Sequence, residues 1–272
     1  QDEGVKVIQT IPGYKVHAKL ILIRRRENGD NKLYANVSTG NYNEATARVF
    51  SDFSLLTCDT RICDDVYNIF ELLESKFILP TFQTLIVSPF RVREFFIEML
   101  EKEIQAAQNG QEAWAIIKVN SMVDRKVASK LYEASQKGVH IDLINRGICV
   151  IKPGIPGISD NIDGLSIVDK FLEHSRVYVF CNNGDPQYFI SSADWMPRNF
   201  DHRIEVVCPV FDKDIRQELW DVLHIQMRDN VKSRYLGPDN LNQYRVTDDP
   251  AKHRAQYEIY DYYKEKVKLK YL

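Results

Sequence analysis

Two short stretches pair a histidine with a cation two residues on: His17-Ala18-Lys19 and His174-Ser175-Arg176. In an extended strand residues two apart share a face, so each ring stands beside a positive side chain. A neutral imidazole offers a ring nitrogen that can attack phosphorus, and a neighbouring cation can hold phosphate oxygens. Either pair alone carries little weight, because a single histidine on an apolar strand is more often a satisfied core or surface residue.

The residues C-terminal to each pair reverse those odds. After His17 come a hairpin with Asn28-Gly29-Asp30 at its turn, the stretch Ser38-Thr39-Gly40-Asn41-Tyr42, then Arg48 and Asp52. After His174 come a hairpin with Asn183-Gly184-Asp185, the stretch Ser191-Ser192-Ala193-Asp194-Trp195, then Arg203 and Glu205. The same features in the same order mark an internal repeat. Hydroxyls and backbone N–H groups of each small-residue turn are candidate donors to a bound anion, and a nearby carboxylate can fix a histidine tautomer. Two such half-sites facing each other put a histidine on each side of a phosphorus. One ring can then act as nucleophile and the other as proton donor or acceptor in an in-line displacement.

The elements that must position these residues can be read from periodicity. Gly4 to Thr10 runs into a strand with a Pro12-Gly13 turn after it; residues 15–23 form a strand, 33–37 its hairpin partner, and 50–57 another strand. Asp65 to Phe77 has helical spacing and stops before Pro80. From residue 84 strands and helices alternate: strand 84–88, helix 91–107, strand 113–119, helix 124–136, strand 139–145. That order points to an α/β sheet with parallel members. Residues 152–164 read as an irregular loop, 177–180 and 187–191 as strands, and 213–230 and 251–266 as helices.

Composition bounds the class. At 272 residues, 44% hydrophobic and 27% charged, the chain can bury a sizeable core in one or two domains. A net charge of −2 argues against a broad nucleic-acid surface, so an anionic substrate must meet a local site. Cys58, Cys63, Cys149, Cys181 and Cys208 are odd in number and scattered, as expected of free thiols in a reducing compartment. No apolar run has the length of a membrane span and no secretory signal opens the chain, so a cytoplasmic protein is the default. Gln1 followed at once by a strand is read as a start partway through a larger protein, whose first sheet lacks strands that the full chain supplies.

The repeat resembles the phospholipase D superfamily, whose paired half-motifs build one site between two similar α/β units. The closer resemblance is to the C-terminal catalytic half of the bacterial polyphosphate kinase family, and it covers nearly the whole chain. It rests on Lys15-Val16-His17-Ala18-Lys19, Ser38 to Asn43, Ala47-Arg48, Ser51 to Thr57, Ile144-Asn145-Arg146-Gly147, Phe171 to Arg176, Ser191 to Met196 and Tyr260-Asp261-Tyr262. The resemblance implies an α/β fold of two phospholipase-D-like units with mixed sheets flanked by helices. Residues 1–84 are then the C-terminal part of a first catalytic domain truncated at its N-terminus, and 85–272 a complete second one. It implies reversible transfer of the ATP γ-phosphate to inorganic polyphosphate through a phosphohistidine on His17, with His174 assisting. Arg146 matches a nucleotide phosphate-binding arginine, and Phe50 stands where relatives often have an ATP-contacting tyrosine, so a hydroxyl is missing. Asp52 is the expected orienting carboxylate; Lys19, Arg176 and Arg203 are expected on phosphates, with Arg203 evenly balanced against pairing with Glu205. Magnesium is the implied cofactor, yet its ligands have no counterpart here and no metal ligand is assigned. ATP or ADP and polyphosphate are the implied partners, without nucleic acid or a membrane span, and the full-length protein is expected as a homo-oligomer.

Two other readings use the same residues. A phosphodiesterase would also employ both histidines, but Arg176 replaces its usual lysine and Asp194 its usual asparagine. A piece of a longer enzyme can also bind nucleotide or polyphosphate with weak turnover or none. His140, His202, His224 and His253 lack the repeated context and are expected to be structural, though His202 beside Arg203 is a candidate for lining the site. Trp195 and Tyr42 read as packing residues, Arg24, Arg25 and Arg26 as solvated hairpin charges with polyphosphate guidance the lesser reading, and Lys264 to Lys270 as a solvated end.

Overall fold

The computed structural model describes residues 3–8, 13–74, 80–239 and 241–270. Strand β1 (Lys15–Val16) leads into a hairpin of β2 (Lys19–Glu27) and β3 (Asp30–Ser38). Asn28 and Gly29 have φ of 51° and 93°, the pair of positive values that a two-residue turn needs to match the strand twist. Asn43 caps α1 (Glu44–Ala47) by accepting the Thr46 N–H at 3.0 Å. After β4 (Phe50–Ser51), β5 (Ser54–Thr57) pairs with β3, and α2 (Thr60–Glu74) turns Ile62, Cys63, Val66 and Ile69 under the small sheet.

The second part is built on β6 (Ile86–Val87), α3 (Val92–Gln108), β7 (Trp114–Val119), α4 (Arg125–Gln136), β8 (His140–Asn145), β9 (Ile162–Ile167), β10 (Leu172–Glu173) and β11 (Arg176–Phe180). It continues through β12 (Gln187–Ser191), α5 (Pro197–Asp201), β13 (Arg203–Ile204), β14 (Val206–Val210), α6 (Lys213–Met227), β15 (Ser233–Tyr235) and α7 (Ala255–Lys270). Eight strands form one mixed sheet in the order β15-β9-β8-β7-β11-β12-β14-β6, with β7, β8 and β9 parallel. Strand alternation sends Ala115, Ile117 and Val119 toward α3 and α4, and Ile116 to the other face. On that other face the α2 side chains, Ala35 and Val37 join Leu219 and Leu223 of α6 in one core, so the two parts are packed together.

Two short parallel ladders stitch the parts directly at the repeated motifs. β1 pairs with β13, Lys15 opposite Arg203, and β10 pairs with β4, Leu172 opposite Phe50. At the end of each ladder two successive N–H groups share one carbonyl. His17 and Ala18 both donate to Ile204 O at 2.9 Å, and His174 and Ser175 donate to Ser51 O at 3.1 and 3.0 Å. Doubled bonds of this kind are bulges, which re-aim a side chain where a ladder ends.

These bulges explain where the expected strands differ. The strand expected over 15–23 breaks at His17-Ala18, and the one over 50–57 breaks at Asp52-Phe53, because each end pairs with a different partner. The strand expected from Gly4 is absent over residues 5–8, while residues 9–12, with the Pro12 turn, lie outside the described residues. The expected helix end at Phe77 also lies outside them; α2 starts earlier, at Thr60. Residues 162–164, read as loop, begin β9, and the expected strand at 84–88 contracts to Ile86–Val87. The second hairpin does not copy the first turn, since Asn182–Gly184 forms a 3-10 turn in a wider connection.

Candidate active site

Each histidine is oriented by a carboxylate from the other half of the chain. His17 Nδ1 lies 2.8 Å from Glu205 Oε2, and His174 Nδ1 lies 2.9 Å from Asp52 Oδ2. A carboxylate only accepts, so Nδ1 carries a proton in both rings, and in a neutral ring the lone pair is then on Nε2. The crossing is a product of the ladders: β13 brings Glu205 beside the strand that ends at His17, and β4 brings Asp52 beside the one that ends at His174.

The small-residue turns are duplicated bond for bond. The Gly40 and Ala193 N–H groups donate to the hydroxyls of Ser38 and Ser191, at 3.1 and 2.9 Å. The Thr39 and Ser192 hydroxyls each donate at 2.6 Å, to Asp52 Oδ1 and Glu205 Oε2. By sequence these groups are candidate donors to an incoming anion; instead they hold the carboxylates that hold the histidines. At Gly40 even a methyl group is excluded, since a Cβ there would lie 2.0 Å from Asp52 Oδ2.

The cations differ between halves. Lys19 is 8% exposed and its Nζ lies 3.0 Å from His17 Nε2. Burial pulls the ammonium down to about 8, with Glu205 and Asp52 opposing the shift and Arg176 and Arg203 assisting it. Arg176 is fixed: Nη2 and Nε reach the Asp194 carboxylate at 3.1 and 3.3 Å, and Nη1 donates to Thr39 O at 3.2 Å across the junction. Its Nη1 is 3.2 and 3.4 Å from the two His174 ring nitrogens, too evenly placed to be directed at either. Burial lowers the affinity of His174 for a proton; Asp52 opposes that and Arg176 reinforces it. Through Lys19 and Arg176 the two histidines, their carboxylates and their cations form one cluster.

The repeated arginine does not hold up. Arg48 is exposed and pairs with Glu44, while the ladders align Phe50 with Arg203. Arg203 Nη1 stands 3.7 Å from Glu205 Oε1, a loose pair that leaves it able to meet an anion. Arg146, after β8, donates its Nε to Glu173 O at 2.7 Å and to Asn120 Oδ1 at 3.0 Å. Among the described residues nothing bonds its two terminal nitrogens. With Phe50 it lines a cavity of about 280 Å³, and the Phe50 ring packs 4.9 Å from that of His174.

Trp195 is fully buried and stacked on Tyr178, whereas Tyr42, expected as a packing residue, is half exposed and donates to Asn36. His224 meets the Trp220 carbonyl, and His253 pairs with Asp249 and Glu258. Glu205, Thr39 and Ser192 are in the repeat, yet their service to the opposite half is not encoded in any local pattern. Asn199, whose Nδ2 donates to Glu205 Oε1 at 2.6 Å, carries no repeat signal at all.

The cluster does not fit a protein-held magnesium ion. Asp52 is occupied by His174 and Thr39, Glu205 by His17, Ser192 and Asn199, and Asp194 by Arg176 and the Asn120 amide. Among the described residues the one triplet of possible ligands is His140, Asp142 and Asp163. It lies at the start of β8, the opposite end of the strand from Arg146.

Comparison with known proteins gives a consistent result. The profile for polyphosphate kinase C-terminal domain 2 matches residues 85–256, and that for C-terminal domain 1 matches residues 1–78. The chain is 46% identical over 263 residues to a polyphosphate kinase of Escherichia coli (strain K12) and 49% identical over 263 residues to that of Vibrio vulnificus (strain YJ016). Each alignment covers 97% of this chain but 38% of the relative, so the chain spans about two fifths of the length of these curated relatives. The crystal structure of polyphosphate kinase from Porphyromonas gingivalis superposes with a TM-score of 0.92 at 41% identity, covering 98% of this chain and 42% of that one.

Proposed function

The chain belongs to the polyphosphate kinase family, and on that premise we propose that it carries the site for reversible transfer of the ATP γ-phosphoryl group to inorganic polyphosphate, with His17 as the phosphorylated residue. The observation that carries this reading is the asymmetry of the crossed pair. Each histidine has its cation beside Nε2, but Arg176 is locked onto Asp194, whereas among the described residues the Lys19 ammonium beside His17 makes no carboxylate hydrogen bond. An arriving phosphate can draw Lys19 away from His17 Nε2 and expose the lone pair.

In the first step Nε2 of His17 attacks the γ-phosphorus, the bond from phosphorus to the bridging oxygen breaks, and ADP leaves with the electron pair. The imidazole becomes cationic, and Glu205 stabilises it through the Nδ1–H bond. In the second step the terminal oxygen of polyphosphate attacks, and the N–P bond breaks back to neutral His17. Burial keeps His174 neutral near pH 7, which suits acceptance of a proton from the attacking phosphate end. Lys19, Arg146 and Arg203 neutralise the phosphates, and positioning with charge neutralisation supplies most of the acceleration. Phe50 and Arg146 together suit the nucleotide, the ring by packing and the guanidinium by pairing with phosphate. Magnesium is assigned to the nucleotide's own phosphates as substrate, since no carboxylate of the cluster is free to hold it.

The test is incubation with γ-labelled ATP. The proposal expects an acid-labile, alkali-stable label that is lost in His17→Ala, and chain elongation when polyphosphate is added. Unlabelled protein that cleaves phosphodiesters would instead favour hydrolase chemistry, and binding without label would leave only a binding module.

A further inference from the structure

Beyond the difference in cations, a second buried contact has no counterpart in the other half among the described residues. Glu205 is fully buried and receives three donors: His17 Nδ1 at 2.8 Å, Ser192 Oγ at 2.6 Å and Asn199 Nδ2 at 2.6 Å. Among the described residues Asp52 receives a histidine and a hydroxyl but no amide, and its side chain is 18% exposed. The short helix α1 precedes Asp52 as α5 precedes Glu205, yet Thr46 in α1 turns its hydroxyl to Asn43. Asn199 is 1% exposed, and its own Oδ1 has no hydrogen-bond partner, so its amide is oriented by the bond to Glu205. The reversed amide would set oxygen against carboxylate.

Helix α5 is clamped so that this amide cannot drift. Arg93 of α3 donates to both oxygens of Asp201 at 2.6 Å and to Asp124, the cap of α4, at 3.0 Å. Phe200, beside Asn199, is buried against Phe96. A charge-assisted bond at a rigid, dry site both orients a carboxylate and favours its ionised form.

We infer that Asn199 is a positioning residue for His17: its amide holds Glu205 where Glu205 accepts the Nδ1 proton, leaving Nε2 as the reactive nitrogen. This inference rests on the phosphohistidine reading for its consequence in turnover, but the tautomer itself can be measured without turnover. The charged and titratable groups facing Glu205 are His17, Lys19, Arg203 and the Tyr178 hydroxyl. Among the described residues none of these four is hydrogen-bonded to Asn199, so a change there removes the amide donor and leaves every charged group present.

The experiment is nitrogen-15 NMR of the histidine rings across pH, alongside labelling with γ-labelled ATP, for wild type, Asn199→Ala and Asn199→Asp. Wild type should hold His17 as the Nδ1–H tautomer at neutral pH. In Asn199→Ala, loss of a charge-assisted donor to Glu205 should move the acid limb of His17 labelling up by about 1 to 2 pH units. The His17 ring should also lose its single tautomer, while the His174 signals, the control for a folded site, stay in place. Asn199→Asp should lose labelling on the alkaline side as the introduced carboxyl ionises, because only its protonated form can still donate to Glu205. Unchanged His17 tautomer and unchanged pH limbs in both variants would overturn the inference while leaving the phosphotransfer reading intact. A wild type that shows the tautomer but takes no label would overturn the phosphotransfer reading alone. Disturbed His174 signals in both variants would overturn the specific role, since the residue would then serve the whole site.

Discussion

His17 and Glu205 meet at 2.8 Å although 188 residues of chain separate them, and the matching contact between His174 and Asp52 spans 122. Neither half-motif is self-sufficient: each histidine depends on the other half for the group that fixes its tautomer. The site is therefore a product of the interlock between the two parts, as much as of the repeat within each.

That interlock predicts which residues are energetically coupled. Asp52→Asn and His174→Ala should each lower turnover by about 10²- to 10⁴-fold, and the double variant should be no worse than His174→Ala. Glu205→Gln should lose turnover to a similar degree, whereas His17→Ala removes the nucleophile and should abolish it, so that adding Glu205→Gln costs nothing more. Pairing Asp52→Asn with Glu205→Gln should compound the losses. Steady-state kinetics of the full cycle of variants reads the coupling directly, and coupling within each half would contradict it.

The close approach at Gly40 yields a stability prediction. Gly40→Ala drives a methyl group into Asp52, and should cost about 1 to 3 kcal/mol in denaturant unfolding besides disturbing His174. Ala193→Gly, at the equivalent turn, removes a buried methyl group that the fold already accommodates and should perturb the site less. Equal effects of the two changes would contradict the asymmetry.

A good part of this architecture is legible in the sequence. The repeat of His-x-cation, hairpin and small-residue turn identifies both half-sites, and the alternation beyond residue 84 marks the parallel core of the large sheet. The crossing is not legible, because the two-residue ladders β1·β13 and β4·β10 have no periodicity and each rests on a partner far along the chain. Residue type matches Arg48 with Arg203; the ladder register pairs Arg203 with Phe50's position instead. Thr39 and Ser192 read as anion donors by composition, and only packing shows that their hydroxyls are spent on carboxylates. Asn199 is invisible, since a buried amide in a five-residue helix has no sequence signature.

The pH dependence of phosphate binding should carry the mark of Lys19. Its ammonium, pulled down to about 8 by burial, loses its charge as pH rises through that value, so affinity for ATP and polyphosphate should fall on the alkaline side. Bound phosphate favours the charged form, which places the limb higher in the complex than in the free protein. Lys19→Arg keeps its charge throughout and should abolish this limb at the cost of geometry at His17. A limb that persists in Lys19→Arg would assign it to another group.

Phe50 offers a test of nucleotide contact. Phe50→Ala should raise the KM for ATP by about 3- to 30-fold through lost packing beside His174 and Arg146. Phe50→Tyr should retain packing and lower KM if its hydroxyl finds the nucleotide. Isothermal binding of ATP to each variant separates these effects from turnover.

The most direct test of the account is the position of the phosphoryl group on the protein. After brief reaction with γ-labelled ATP and alkaline digestion, the phosphohistidine should map to His17 and be the Nε2 isomer, because Glu205 occupies Nδ1. Phosphate on His174, or on Nδ1 of His17, would contradict the crossed arrangement as the basis of the chemistry.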